Sequence, residues 1–358
     1  MKTILSLLVL ITITACEKNY TEVAPTPDTL TTYFPSIADD NWETVSATTL
    51  GWDAAKLDEA IAYTAGTKTY GFIILYKGRI VTENYWNNWD RDTKYPINSA
   101  GKSVAAFLVG KTQEEGFLNI NDKTSQYLGT GWTSLSAVKE NLITIRHQLT
   151  MTTGLDDGVP DDNCLTSACL IYKSDAGSRW AYYNAPYRLL QNVVANASSL
   201  NFNQYTKTRL SDKIGMKNWL WYNYVLWLNT RDMARFGLLM ANKGHWETQK
   251  ILGDEAYFNA MVNSSQTLNK SYGYLWWLNG KTSFMLPTIQ TAFTGSMAPD
   301  APPDLLMALG KDDKKIYVVP SLDLVVVRHG DDAGTSTAGP SGFDNSLWAK
   351  LRLAIKKW

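Results

Sequence analysis

Residues 96–108 read PINSAGKSVAAFL, and two different chemistries fit this stretch. Read from Gly101, Gly-Lys-Ser looks like the end of a phosphate-binding loop. Read from Ser99, a serine is followed by Lys102 one helical turn later. A phosphate loop needs a glycine five positions before its Gly-Lys-Ser/Thr, because both glycines let backbone N–H groups wrap the phosphates. That position holds Pro96, which has no N–H. No acidic strand-end residue stands out for magnesium either, so the nucleotide reading fails. The serine reading has mechanical sense. Residues i and i+3 of a helix share a face, so Lys102 can sit beside Ser99. A serine at a helix start has its own N–H free, and the helix dipole favours negative charge developing there. A neutral lysine can then take the serine proton, provided burial or a neighbouring cation lowers its pKa from about 10.4.

Ser-x-x-Lys alone is weak, and it recurs at Ser136 and Lys139. Ser136 stands in a polar stretch. Ser99 opens an apolar helix, expected from residue 99 to about 115 and ended by Gly116, that follows a pair of strands. Those strands are GFIILYKGRIVTENYW, an antiparallel hairpin turning at Lys77-Gly78. Before them, GWDAAKLDEAIAYTAG has apolar residues at helical spacing. From there to about residue 270 the pattern is mostly helical with long connections, as in ITIRHQLTMTTG, NAPYRLLQNVVANA and NTRDMARFGLLMANKG. Strand-like runs follow (YGYLWWLNG, DLLMALG, KIYVVPS, DLVVVRHG), and NSLWAKLRLAIKKW closes the chain as an amphipathic helix. Strands at both ends around a helical insert predict an α+β chain. The sheet domain, an antiparallel sheet flanked by helices, is expected from residues 41–120 and 271–358, with an all-α domain inserted at 121–270. A cleft between two such parts is a usual place for a site.

The chain has 358 residues, with 34 basic and 34 acidic side chains, so nothing in its charge points to a nucleic-acid partner. The 14 Trp and 19 Tyr cluster in YWNNW, WLWYNYVLW and YLWWLN. Core packing is the default for such rings, and lining a ligand cleft is the alternative. At the start, Lys2 precedes the apolar run ILSLLVLITITA, which is too short to span a bilayer and suits an export signal. Ile13-Thr14-Ala15-Cys16 resembles a bacterial lipobox, which makes residues 1–15 a lipoprotein signal peptide and Cys16 the lipidated residue. An ordinary signal peptide is the alternative. Residues 16–40, rich in Thr, Pro and Asp, read as a tether. The protein is thus expected outside the cytoplasm, anchored by lipid and facing the periplasm or the cell surface. In such an oxidising compartment Cys164 and Cys169 are expected to pair locally, since no further Cys or His completes a zinc site.

With SAGKSV, WAYYNAPYRLL and IYVVPSLDLVVV in that order, the chain resembles the class C β-lactamase and penicillin-recognising serine hydrolases. TIRHQLTMTTGLDD and NTRDMARFGLLMANKGHW also look like segments of that family, and the resemblance covers roughly residues 45 to 355. It implies a β-lactamase/DD-peptidase-like fold and an acyl-enzyme mechanism without a cofactor. Ser99 would be the nucleophile and Lys102 its base. Tyr182 would match the tyrosine that shuttles a proton to the leaving group, and Asn184 would bind the substrate's carbonyl or amide side. Tyr-x-Asn also occurs at Tyr85 to Asn87 and Tyr257 to Asn259, but only the copy at Tyr182 precedes APYRLL in the right order. The family's third motif, Lys-Thr-Gly or His-x-Gly, is replaced by Gly310-Lys311-Asp312-Asp313. Lys311 either supplies that motif's positive charge or belongs to a solvated turn, GKDDKK.

Other constellations are poorer. Only His147, His245 and His329 exist, and no Gly-x-Ser-x-Gly elbow is present. His329, at a strand end, is the histidine of interest, with a packed or surface role as its default. No metal motif is present, and the acidic DDGVPDD at 156–162 reads as a solvated loop rather than a calcium site. The expected protein is a monomeric, lipid-anchored serine hydrolase acting on a small ester, amide or peptide, with esterase or amidase activity favoured over true β-lactamase. DD-peptidase or β-lactamase activity is the near alternative. A non-catalytic surface lipoprotein that binds a ligand in an aromatic cleft is the alternative of another kind.

Overall fold

The computed structural model describes residues 30–334 and 340–358. The expected signal peptide, Cys16 and most of the expected tether lie outside the described residues. The alternating apolar runs near both ends of the chain form one antiparallel sheet. Its strands are β1 (Thr69–Tyr76), β2 (Arg79–Tyr85), β6 (Trp277–Leu278), β7 (Leu306–Gly310), β8 (Lys314–Val319) and β9 (Leu324–Gly330), in the order β2-β1-β9-β8-β7-β6. Ile74 pairs with Val326, Ile316 with Val327, and Leu306 with Val318. Of YGYLWWLNG, expected as a longer strand, only Trp277–Leu278 joins the ladder.

Side chains alternate between the faces of a strand, and both faces of this sheet are covered. Ile316, Val318, Val325 and Val327 share the parity that meets α4 (Thr230–Ala241), because Gly237 of that helix lies directly against Val325 and Ile316. Tyr317 and Arg328 point the other way. Tyr317 meets Trp348 of α5 (Gly342–Ile355) edge-on at 5.7 Å, and the Arg328 guanidinium lies 4.7 Å from the centre of the Phe343 ring. Helix α1 (Ala54–Ala65) packs on α5 through stacked Tyr63 and Phe343 rings at 5.8 Å.

The helix expected to start at Ser99 differs in its first turn. Asn98–Ala100 form a 3-10 turn, and the α-helix proper, α2, runs Gly101–Glu114. Residues 104–109 of α2 are wholly buried, so this helix runs through the protein interior rather than along its surface. Helix α3 (Asn184–Ser198) packs on it, and its Leu190, Val193 and Val194 are buried.

The stretch 121–270, expected as all-α, also carries a hairpin of β4 (Trp219–Tyr222) and β5 (Val225–Leu228). Its turn, Asn223-Tyr224, has φ of 45° and 64°, the left-handed pair of a type I′ hairpin turn. Alternation of Trp, Leu and Val makes these residues strand formers. They extend a short β3 (Tyr95–Pro96), which pairs with β5 just before the Ser99 turn.

Glycine in the middle of a helix normally weakens it by about 1 kcal/mol relative to alanine. At Gly237 the sign reverses, since a Cβ there would stand 2.4 Å from Cγ1 of the stiff, buried Val325. Gly237→Ala is expected to destabilise the protein by about 1–3 kcal/mol, read from urea unfolding. A neutral or stabilised variant would contradict this packing of α4 on the sheet.

Candidate active site

The Ser99 turn is held from two sides. Upstream, the Ile97 N–H donates to the Leu226 carbonyl of β5 at 2.9 Å. From the other side the end of β7 closes in, and a Cβ on Gly310 would stand 2.2 Å from the Ile97 carbonyl oxygen and 3.3 Å from the Ala100 nitrogen. Only glycine permits that approach. Within the turn Asn98 takes a left-handed φ of 48°, a conformation asparagine tolerates. Its Nδ2 donates to the Lys311 carbonyl at 3.1 Å and faces Asp312 Oδ2 at 3.4 Å.

Lys102 follows in the first turn of α2, and its Nζ lies 2.8 Å from Ser99 Oγ and 2.8 Å from Asn184 Oδ1. Lys102 is only 3% exposed. Burial lowers its pKa well below the ordinary lysine value, the nearby Arg188 guanidinium lowers it further, and Asp162 opposes them. An amine that sheds its proton this easily can accept one from Ser99. Once formed, its ammonium faces the rings of Tyr187 and Tyr182, with centroids 4.2 and 4.9 Å away.

Tyr182 precedes α3 in extended chain and stacks on Trp277 at 5.7 Å, with Tyr272 edge-on at 6.3 Å. Burial pushes its phenol pKa up, although a hydrogen-bonding contact with Ser99 works in the other direction. The phenol therefore keeps its proton at neutral pH and can donate it. A cavity of about 230 Å³ opens beside these groups, and Ser99, Lys102, Asn184 and Lys311 line it. The exposed Lys311 thus reaches the same cavity as Ser99.

The rest of GKDDKK is not a solvated turn. Asp313, Lys314 and Lys315 are buried as ion pairs, with Lys314 3.1 Å from Asp312 and Lys315 2.8 Å from Asp344. The acidic loop at 156–162 is likewise more than a solvated loop. Asp157 pairs with Arg179 at 2.6 Å, and Asp162 Oδ2 accepts from Asn184 Nδ2 at 2.7 Å. The disulfide between Cys164 and Cys169 follows directly.

The remaining candidates fall elsewhere. Ser103, the serine of Gly-Lys-Ser, donates to the Leu275 carbonyl at 2.7 Å. Ser136 stands just before a short helix without capping it through its side chain, and Lys139 pairs with Asp175. Tyr85 donates to Glu83, and Tyr257 to the Ala106 carbonyl. His329 is buried and packs against Trp89 and Tyr95 at 5.5 and 6.2 Å. Burial and the nearby Lys314 and Arg328 push its pKa down to about 3, so it stays neutral. Among the described residues no three His, Cys, Asp or Glu side chains group to hold a metal ion.

Sequence reading missed Asp162, Asn163, Tyr187, Arg188 and Tyr224 of this neighbourhood. Tyr187 and Arg188 were findable, because they stand three and four residues after Asn184 on one helix face. Asp162 gave no such signal.

The profile of the family described as Beta-lactamase matches residues 57–327. An uncharacterized protein from Alkalihalophilus pseudofirmus is 24% identical over 311 residues, which are 76% of this chain and 85% of that protein. Among solved structures, a provisionally assigned 6-aminohexanoate-dimer hydrolase from Bacillus anthracis superposes with a TM-score of 0.67 at 15% identity, covering 92% of this chain and 88% of that one. A beta-lactamase/D-alanine carboxypeptidase from Yersinia pestis gives 0.62 at 16% identity, over 83% of this chain and 97% of that one. At such identities these two likenesses concern the fold.

Ser99 should react faster as Lys102 loses its proton, so its reactivity rises with pH through the Lys102 titration. Removing the Arg188 charge lets Lys102 hold its proton more tightly. In Arg188→Gln the acid limb of the Ser99 reactivity profile is expected to move to higher pH, measured as the rate of covalent labelling against pH. An unmoved limb would mean that Arg188 does not tune Lys102.

Proposed function

Because the chain belongs to the beta-lactamase family, we propose that it is a serine hydrolase that cleaves a small ester or amide through an acyl-enzyme on Ser99. The observation that carries this reading is the buried Lys102 amine, 2.8 Å from Ser99 Oγ. In the neutral amine the contact runs with the serine hydroxyl donating. Oγ attacks the substrate's carbonyl carbon as its proton passes to Lys102 Nζ. The oxyanion is held by the Ser99 backbone N–H, in the 3-10 turn that leads into α2, and by a second N–H that we assign to the strand end at Gly310-Lys311. On collapse of the tetrahedral intermediate, Tyr182 gives its proton to the leaving group and recovers one from the Lys102 ammonium. The alcohol or amine leaves, and the acyl group stays on Oγ. Water then attacks the acyl carbon, the bond to Oγ breaks as a proton from that water passes to Oγ, and the acid is released with Ser99 restored.

Esterase or amidase activity is favoured over β-lactamase activity because of the strand end. A substrate carboxylate would meet the Lys311 cation, but the next residue is an acid, Asp312, whose carboxylate faces Asn98 and Lys314, and no hydroxyl residue occupies 311–313. The provisionally assigned 6-aminohexanoate-dimer hydrolase among the structural neighbours is in keeping with a hydrolase reading. On its N-terminal sequence we propose that the protein lies outside the cytoplasm, lipid-anchored through Cys16.

Intact-mass spectrometry of residues 17–358 after a fluorophosphonate probe tests the nucleophile. One adduct is expected on the wild type and none on Ser99→Ala. No adduct on either makes the protein a non-catalytic ligand binder.

Tyr182→Phe tests the proton donor. It is expected to slow an alkyl amide about 10²–10⁴-fold. A p-nitrophenyl ester, whose leaving group needs no proton, should be slowed far less. Equal losses on both substrates would remove Tyr182 from that role.

A further inference from the structure

Asn184 opens α3, and its side-chain amide sits between two partners. Oδ1 accepts from Lys102 Nζ at 2.8 Å, and Nδ2 donates to Asp162 Oδ2 at 2.7 Å. Lys102 alone does not fix which way this amide faces. A neutral amine carries two N–H donors and one lone pair, so it can meet either the carbonyl or the N–H end of an amide. The consequences differ. If the amide turned its N–H to Lys102, the lone pair would be spent there and could not receive the Ser99 proton. An ionised carboxylate only accepts. Asp162 therefore holds the N–H end, and the carbonyl end is left for Lys102.

The carboxylate is itself held in place. Its other oxygen accepts from Asn163 Nδ2 at 2.7 Å. Its loop is closed just beyond by the disulfide between Cys164 and Cys169, and the Tyr183 hydroxyl donates to the Cys169 carbonyl at 3.2 Å. Leu155 and Leu170, on either side of the loop, are buried with Tyr183 and Leu189 in a small second core.

We propose that Asp162 is a positioning residue of the acyl-transfer site: by holding the Asn184 amide N–H it keeps the Lys102 lone pair directed at the Ser99 hydroxyl. This rests on the serine-hydrolase reading above. Asp162 acts through Asn184 and does not touch the reacting atoms.

The charges around Lys102 give a signature that a merely structural role would lack. Arg188 of α3, Asp162 of the loop and Lys311 at the strand end are the charged groups around it, with the neutral phenols of Tyr182 and Tyr187. Asp162 raises the proton affinity of Lys102 and Arg188 lowers it. Removing the Asp162 charge therefore moves the acid limb of Ser99 reactivity to lower pH, the opposite direction from Arg188→Gln.

The test is the rate of fluorophosphonate labelling against pH for wild type, Asp162→Asn and Asp162→Ala. Fluoride leaves without a proton, so the rate reads the Ser99–Lys102 contact alone. Asp162→Asn keeps an acceptor oxygen and loses the charge, so the limb should move down in pH with the plateau near wild type. Asp162→Ala loses both, and its plateau should fall about ten- to hundredfold as well. A wild-type plateau and an unmoved limb in both variants overturn the proposal. Should the alanine variant not fold, the limb of Asp162→Asn decides.

A second readout is hydrogen exchange of the Asn184 side-chain amide in protein labelled with 15N-asparagine, its signals assigned by their loss in Asn184→Ala. One protected N–H is expected in the wild type, and loss of that protection in Asp162→Ala and, at least in part, Asp162→Asn. If the wild type takes no probe at all, the hydrolase reading fails and this exchange decides alone. Protection that depends on Asp162 upholds its hold on Asn184, and protection that does not depend on it overturns the proposal.

Discussion

An amine kept from water is the feature on which this site depends. In solvent, Lys102 would be an ammonium and useless as a base. Here the charged form loses its hydration and gains little in return, because the closest polar partners are a serine hydroxyl and an amide oxygen. Arg188 adds repulsion, and Asp162 offsets part of it. Such burial requires that the element carrying the lysine run through the interior. Helix α2 does so, with residues 104–109 inaccessible, and it packs against α3, sheet strand β7 and, through Phe107 and Phe236, α4. The architecture thus sets the protonation state of one side chain, and that side chain sets the chemistry.

The second constraint is the clamp on the turn that carries Ser99. Distant parts of the chain meet there: hairpin strand β5 through Leu226, and sheet strand β7 through Gly310. The turn is therefore fixed in the middle of the molecule while its serine stays half-exposed. Behind the β7 end, ion pairs made by the buried Lys314 and Lys315 hold the backbone that follows Lys311. Paired charges of this kind add little net stability but do fix geometry, since removing one partner strands the other.

Much of this was legible in the residues. The sheet strands read as apolar runs bounded by turns, and Ser99 and Lys102 stood out because a helix start followed a strand pair. Tyr182 and Asn184 were found through the order of motifs, not through any property of their own. What escaped was set by tertiary contact. Asp162 looked like one more acid in a polar loop, because nothing local tells a carboxylate that faces an amide from one that faces water. Lys314 and Lys315 read as solvated, since a charged run gives no sign of partners as distant as Asp331 and Asp344. The β4–β5 hairpin was taken only as an aromatic cluster. Its turn uses Asn-Tyr rather than the usual Asn-Gly, and that hides the hairpin from sequence rules.

The most direct test of the account is the titration of Lys102 itself. Protein labelled with [13Cε]lysine, compared with Lys102→Met to identify the resonance, gives its pKa by NMR. A titration well below that of the other lysines is the predicted result. A Lys102 that titrates with the surface lysines would be an ammonium at neutral pH, and it could not be the base that activates Ser99.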